Sequence, residues 1–182
     1  DYDKNNSEKL VEKIKKPNSL ERISVKKWSF SEWIRNLPVK KKFDWVFSRT
    51  WKKLWAKYRV SWVLNWDIWK NQQCADSVMR LWWEYNFAKN TPEKINFKLE
   101  NTKLNPFLIK NLDRGSFKKY FYYQFVYSST YVLKRDLNTI AKNNVQPWDL
   151  IVMRKRWTKT WHVFMIMDVA KSKIDWKIKI VL

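Results

Sequence analysis

The sequence has 182 residues but only one glycine, Gly115, beside 14 tryptophans. Average usage of roughly 7% predicts about 13 glycines in a chain of this length. A folded chain needs glycine wherever the backbone takes a positive φ, so other residues must occupy such positions here. Tryptophan stands where turn patterns between apolar runs call for glycine, as in Asp44-Trp45, Asn65-Trp66 and Asp175-Trp176.

We expect that recoding of the UGA codon accounts for this exchange. Some bacterial lineages read UGA as glycine, and translation with a code that reads UGA as tryptophan prints Trp at those positions. The Lys-, Asn- and Ile-rich composition agrees with an AT-rich genome. Trp33, on the apolar face of a predicted helix, is expected to be a true tryptophan, whereas Trp82 and Trp83 stay open. The alternative is a protein that is rich in tryptophan by nature. The glycine-like positions are Trp28, Trp45, Trp66, Trp69, Trp148 and Trp176.

Cysteine and histidine are equally scarce, with one of each, Cys74 and His162. A single cysteine excludes an internal disulfide, and a single histidine excludes a His-rich metal site, so no metal or cofactor is expected. No run approaches 18 apolar residues, so no membrane span is expected. The chain starts at Asp1 and stops within an apolar strand, so we expect a domain truncated at its C-terminus, with its compartment open.

Basic residues are in large excess over acidic ones, so the net charge is +21 and the isoelectric point is about 10. Such a charge favours polyanions, including nucleic acids and anionic wall polymers. The basic residues are spread along the whole chain rather than gathered in one block, which favours a solvated surface over a specific nucleic-acid site.

The hydrophobic pattern predicts an α+β fold in one domain, residues 20–182, after a polar lead-in, residues 1–19. A capped helix is predicted at 29–38, and Arg80 and Glu84 are expected to form a surface ion pair on a second helix. Alternation predicts hairpins and strands elsewhere. The other predicted helices cover 71–89 and two parts of 116–143, around 117–126 and 130–141. The predicted strands lie in 43–68 and at 95–99, 150–153, 162–169 and 177–182, the last three being antiparallel neighbours.

The single cysteine and the single histidine fall at positions where they could react together. With Asn71 as the N-cap, Cys74 is the third residue of its helix, where free N–H groups and the helix dipole favour a thiolate. His162 begins an apolar strand. A cysteine at a helix start facing a histidine at a strand start is the layout of papain-like hydrolases. The alternative is an inert core cysteine and a structural histidine.

The segment around Cys74, QQCADSVMRLxxEY at 72–85, resembles the central motif of a bacterial family, domain of unknown function 4846. Further landmarks match in order over nearly all of residues 17–182. SFSEWIRNLP at 29–38 resembles the family's opening segment, and FVYSSTYVL at 125–133 resembles its Phe-x-Tyr-Ala-Gly-Thr-x-Ser-Leu segment. Pro147-Trp-Asp149 and Trp161-His162 are similar to its Pro-Gly-Asp and Gly-His motifs, which makes Trp161 another glycine-like position.

Those last two motifs are in turn similar to the NlpC-type and CHAP amidases and peptidases of the bacterial cell wall. The resemblance implies a papain-like arrangement, with Cys74 as the nucleophile and His162 as the general base and acid. Trp148, Asp149 and Trp161 would shape the turns at the site. The resemblance also implies an orienting third residue, a polar one such as glutamine, just beyond Leu182. Asp168, six residues along the predicted strand of His162, is interpreted as structural.

Gln73 is a weaker candidate, which could help to bind an oxyanion together with the Cys74 N–H group. The alternative, which is slightly favoured, is a solvated residue of the first helical turn. We therefore expect a thiol hydrolase of amide bonds, acting in cell-wall peptides, with peptidoglycan or another anionic wall polymer as partner and a location in the cell envelope or outside the cell. The alternatives are a non-catalytic binding module of the same fold and a basic nucleic-acid or polyanion binder. The oligomeric state stays open.

Overall fold

The computed structural model describes residues 6–41, 52, 64, 72–91, 94–95, 113–127, 129–154 and 160–181. Helices and small antiparallel sheets both occur, which confirms the α+β class. The predicted hairpins in 43–68 and the strand at 95–99 lie, apart from isolated residues, outside the described parts. The elements are β1 (Ser7–Lys9), α1 (Leu10–Lys13), β2 (Leu20–Arg22), α2 (Phe30–Arg35), β3 (Pro38–Lys40), α3 (Cys74–Ala88), α4 (Arg114–Tyr127), α5 (Thr130–Asp136), a 3₁₀ turn (Lys142–Asn144), β4 (Leu150–Arg154), β5 (Trp161–Met165), β6 (Asp168–Ser172) and β7 (Ile178–Val181).

The described residues fall into two compact units. The first contains residues up to 64, together with 142–148 and 166–181, and the second contains 72–141 and 149–165. In the first unit β1 pairs with β3, and β6 lies between β2 and β7. In the second unit β4 and β5 form an antiparallel pair. The segment predicted as a polar lead-in contains β1 and α1, and Leu10 and Ile14 are buried there.

Helix α2 begins at Phe30 because Ser29, one of the two serines that the sequence offers as a cap beside Ser31, is the N-cap. Ser29 has an extended backbone, and its Oγ accepts a hydrogen bond from the Glu32 N–H group at 3.2 Å. Phe30 and Ile34 are buried, so the apolar stripe faces the core of the first unit. The helix ends before Pro38, which opens β3 and cannot donate a helical hydrogen bond.

A buried carboxylate joins three elements of the first unit. Asp168, at the start of β6, accepts from Arg22 Nε at 2.6 Å and from Arg35 Nε at 2.8 Å. The Asp168 side chain is 4% exposed and that of Arg35 is 10% exposed. A buried charge is tolerated only when it is paired and hydrogen-bonded, so this cluster is structural, as interpreted from the sequence.

The apolar run predicted as one strand, 162–169, is two strands in different sheets. β5 ends at Met165 and pairs with β4, whereas β6 starts at Asp168 and pairs with β2 and β7. The two predicted antiparallel pairings are confirmed, β4 with β5 and β6 with β7. The prediction of one continuous middle strand was wrong, and Asp168 does not lie on the strand of His162. A continuous apolar run does not reveal where a chain changes its pairing partner, because the side-chain pattern is the same on both sides of the break.

Helix α3 supplies much of the core of the second unit. It begins at Cys74 and ends at Ala88, and it contacts α4, α5 and β5. Helix α5 ends at Asp136, earlier than the predicted 141. The buried apolar residues of this unit are Ala75, Val78, Met79, Leu81, Trp83, Ile95, Phe121, Val132, Leu133, Val163 and Met165.

Tryptophan accounts for three of the four non-glycine residues with positive φ in the described parts. Trp28 has φ 63°, Trp148 has φ 93° and Trp176 has φ 55°; the fourth residue is Asn90, at 52°. Asparagine tolerates this region, whereas a bulky side chain there is a genuine outlier. Trp28 and Trp176 are also 76% and 66% exposed, so the rings bury little surface in return. The other described tryptophans, which do not have positive φ, are Trp33, Trp82, Trp83 and Trp161.

Candidate functional site

Cys74 is the first residue of α3 rather than the predicted third. The N-cap is Gln73, with an extended backbone at φ −103° and ψ 179°, and the Asp76 carboxylate accepts a hydrogen bond from the Gln73 N–H group at 2.7 Å. Asn71, the predicted N-cap, lies outside the described residues. The Asp76 carboxylate, which lies in the first turn of α3, therefore stabilises the start of the helix at Cys74. Cys74 still lies among the N–H groups that lack intrahelical partners.

The sulfur of Cys74 is half-buried and contacts a hydroxyl. Its Sγ lies 3.5 Å from Thr130 Oγ1, and either atom can be the donor. Thr130 is the first residue of α5 and is 6% exposed. Ser129 caps this helix, since its Oγ accepts from the Val132 N–H group. The cysteine thus has a polar neighbour that the sequence did not predict to be near it.

His162 is the second residue of β5 and lies opposite Met153 of β4. Its imidazole is half-buried and lies nearly perpendicular to the Phe164 ring, with 4.5 Å between ring centres. β5 contacts both α3 and α5, so Cys74, Thr130 and His162 lie on three elements that contact one another within one unit. Within the described residues, no hydrogen bond joins the Cys74 sulfur to His162.

Two glutamines precede the cysteine, and they differ in environment. The side chain of Gln73, the predicted oxyanion donor, is exposed. Nε2 of Gln72 is buried, and it has no hydrogen-bond partner within the described part of the chain. A buried amide donor without a partner is unusual and marks a place where a ligand or water oxygen would be stabilised. Sequence reasoning missed Gln72, because either residue of the Gln-Gln pair fits the motif equally well.

The residues predicted to shape the turns differ in backbone conformation and in burial. Trp148, in the first unit, has positive φ and donates its backbone N–H to the Ile166 carbonyl at 2.7 Å. Asp149 directly precedes β4 and is half-buried. Trp161 starts β5 without positive φ, so the backbone gives no reason for glycine there. Lys134 Nζ lies 4.8 Å from the centre of the Trp161 ring.

One face of α3 carries buried charged groups. Arg80 Nε lies 3.6 Å from Glu84 Oε1, and both side chains are 8% exposed, so the predicted surface ion pair is in fact buried. The i,i+4 spacing is the same for exposed and buried pairs and cannot distinguish them. Asp76 is buried one turn before Arg80. Burial raises the pKa of Asp76, while the hydrogen bond from the Gln73 N–H group lowers it.

No other constellation with evident chemistry appears in the described parts. Their His, Cys, Asp and Glu side chains form no group of three or more that could hold a metal ion. None of the helices within those parts has the length and apolar character needed to cross a membrane.

The model of one family, described as Domain of unknown function (4846), matches residues 10–109. The match covers more than half of the chain, so the protein belongs to this family. It includes Cys74 and the glutamines before it but stops short of Thr130 and His162. No curated protein and no solved structure matches the chain.

Proposed function

We propose that the protein is a thiol hydrolase that cleaves amide bonds, with Cys74 as the nucleophile and His162 as the general base and acid. The observation that carries this proposal is the placement of both residues in one compact unit. Cys74 starts α3, and His162 lies on β5, the strand that contacts α3. A thiol among free helical N–H groups, close to a strand that bears an imidazole, suits nucleophilic catalysis.

The reaction proceeds in two steps. His162 takes the thiol proton, the sulfur attacks the amide carbonyl carbon, and a thioester forms as the C–N bond breaks. The imidazolium gives its proton to the departing amine. His162 then takes a proton from water, which attacks the thioester, and the carboxylic acid leaves as the Cys74 sulfur is released and reprotonated.

The oxyanion of each tetrahedral intermediate needs donors close to the sulfur. The Cys74 N–H group is one, because the first N–H groups of a helix have no intrahelical acceptor. A glutamine side chain supplies the other. Gln73 was only a weaker candidate for this role, and its side chain is exposed. The buried Nε2 of Gln72, which has no hydrogen-bond partner within the described part of the chain, supports Gln72 instead.

The substrate class rests on motif similarity. The segments Pro147-Trp-Asp149 and Trp161-His162 resemble the Pro-Gly-Asp and Gly-His motifs of the NlpC-type and CHAP enzymes, which act on cell-wall peptides. We therefore assign a papain-like arrangement and a peptidoglycan-peptide substrate. The net charge of +21 supports attraction to an anionic wall polymer.

A non-catalytic binding module is the second candidate function. It is favoured by one observation: the sulfur contacts the Thr130 hydroxyl, and no hydrogen bond reaches His162 within the described residues. Catalytic hydrogen bonds are often long before a substrate binds, so the hydrolase is also compatible with this geometry.

Hydrolysis of peptidoglycan peptides by purified variants distinguishes the two functions. Cys74→Ala and His162→Gln should each lose activity, the second by about 10²–10⁴-fold, the usual contribution of general acid–base catalysis. Met153→Leu is a matched control, because Met153 faces His162 across the hairpin and is 51% exposed. Equal binding of wall fragments by the wild type and both site variants, with no cleavage by any of them, would support the binding module.

The tryptophans belong to the same proposal. We propose that Trp28, Trp148 and Trp176 are glycines in the natural protein, encoded by UGA, and the positive φ of each supports this. Peptide masses from the natural host should show glycine at these three positions. UGG codons there would refute the recoding.

A further inference from the structure

Thr130 has a hydroxyl that is not used by its own helix. Ser129 is the N-cap of α5 and accepts from the Val132 N–H group, so Thr130 is not needed for capping. Thr130 is 6% exposed, and its Oγ1 lies 3.5 Å from Cys74 Sγ. Within the described residues, this sulfur is the only hydrogen-bond partner of the hydroxyl.

The chemistry of the two groups gives this contact a direction. A thiol is a weak donor and a weak acceptor, so either group can donate while Cys74 is protonated. A thiolate can only accept, and the hydroxyl must then be the donor. Hydrogen bonds to an ionised group are roughly twice as strong as neutral ones, so the contact tightens when the sulfur loses its proton.

We propose that Thr130 is a positioning residue for Cys74, whose hydroxyl donates a hydrogen bond to the thiolate and holds the sulfur at the start of α3. The inference rests on the proposed function, in which Cys74 is the nucleophile. It assigns a role to the FVYSSTYVL segment, which the Cys–His mechanism leaves without one. The competing explanation is an inert contact in which the thiol donates to Thr130.

Other ionisable groups lie on the elements that contact one another around the sulfur. Their contributions are unchanged by a substitution at Thr130 that preserves the fold, so a comparison of variants isolates the hydroxyl. These groups are Asp76, Arg80, Glu84 and Tyr85 on α3, Tyr131, Lys134, Arg135 and Asp136 on α5, and Arg154 and His162 on the hairpin of β4 and β5.

The test is the pH profile of alkylation by iodoacetamide, which reports on Cys74 alone because the chain has no other cysteine. Thr130→Val removes the hydroxyl at nearly constant shape and should raise the midpoint of the profile by about one pH unit. Alkylation well below the midpoint then slows about tenfold. Thr130→Ser keeps the hydroxyl and should keep the midpoint. The midpoint is the readout, because thiolate nucleophilicity also changes modestly with basicity.

Ser129→Ala is the matched control for a general disturbance of α5. It removes the cap hydrogen bond but leaves the Thr130 hydroxyl, so its midpoint should equal that of the wild type. A midpoint in Thr130→Val that equals the wild-type value would overturn the proposal, as would an equal shift in Ser129→Ala. Circular dichroism checks that each variant folds, and Thr130→Ala carries the same expectation if the valine variant does not.

The alkylation assay needs no substrate, so it tests the role of Thr130 separately from the proposed function. A shifted midpoint in a protein that cleaves no amide would support the role of Thr130 and refute the hydrolase. Cleavage that depends on Cys74 and His162, with an unshifted Thr130→Val midpoint, would do the reverse.

Discussion

Replacing the exposed tryptophans of positive φ by glycine should stabilise the protein. Trp28 and Trp176 have φ 63° and 55° and are 76% and 66% exposed. A left-handed backbone costs a non-glycine residue about 1–2 kcal/mol, which glycine avoids. Glycine loses more conformational entropy on folding, which offsets roughly 0.5–1 kcal/mol of this gain. Little apolar surface is lost, so Trp28→Gly and Trp176→Gly should each raise the free energy of unfolding by about 0.5–1 kcal/mol.

Trp33→Gly is the matched control, with the opposite expected sign. Trp33 lies within α2, does not have positive φ, and stacks on Phe30 with 5.6 Å between ring centres. Glycine inside a helix costs about 1 kcal/mol. Loss of a half-buried aromatic ring adds roughly 1–3 kcal/mol, so this variant should be destabilised by about 2–4 kcal/mol in total.

Urea unfolding monitored by circular dichroism measures all three changes in the free energy of unfolding. A stabilisation of 1 kcal/mol corresponds to roughly 2–4 °C in Tm for a chain of this size. If Trp28→Gly and Trp176→Gly destabilise the protein as much as Trp33→Gly, the assignment of these positions to glycine is wrong.

The remaining predictions concern buried or hydrogen-bonded carboxylates. Asp168→Asn leaves Arg22 and Arg35 without their shared counter-charge and should cost about 3–5 kcal/mol in urea unfolding; a loss below about 1 kcal/mol would contradict a structural role. Hydrogen bonds from Ser172 and Lys177 lower the pKa of Asp175 to about 2, so its contribution to stability is present above pH 3.8 and is lost as the pH falls towards 2. The stability deficit of Asp175→Asn should therefore shrink over that interval in acid titrations, and a constant deficit would refute this. Burial raises the pKa of Asp76, so the protonated form stabilises the fold below pH 3.8 and this stabilisation is lost as the pH rises through the raised pKa. The stability of Asp76→Asn relative to the wild type should thus increase with pH over that range, and a decrease would contradict the burial effect.

Local patterns predicted the helices better than they predicted their ends. The start of α2 was predicted to within two residues, because Ser29 and Ser31 could both cap it. The structure selects Ser29, whose Oγ accepts from the Glu32 N–H group. The start of α3 was misplaced because the Gln73 backbone, held by the Asp76 carboxylate, provides the cap, whereas the rule favours a short polar side chain such as Asn71. A capping carboxylate that lies within the first turn, such as that of Asp76, marks the helix start less clearly in the sequence than an N-cap side chain does.

Features that depend on distant parts of the chain were harder to predict. The break between β5 and β6 depends on pairing with β4 and with β2, and Thr130 reaches Cys74 across 56 positions of sequence. No periodicity encodes such contacts. Cys74 and His162 were nevertheless predictable as candidates, since the chain has one of each and they fall at the starts of a helix and a strand.

The most direct test of the central claim is intact-mass detection of the adduct between Cys74 and a thiol-reactive amide probe built on a peptidoglycan peptide. The wild type should acquire one adduct, mapped to Cys74. His162→Gln should react about 10²–10⁴-fold more slowly, and Cys74→Ala should not react. Undiminished labelling of Cys74→Ala, or of His162→Gln, would contradict a Cys74–His162 hydrolase.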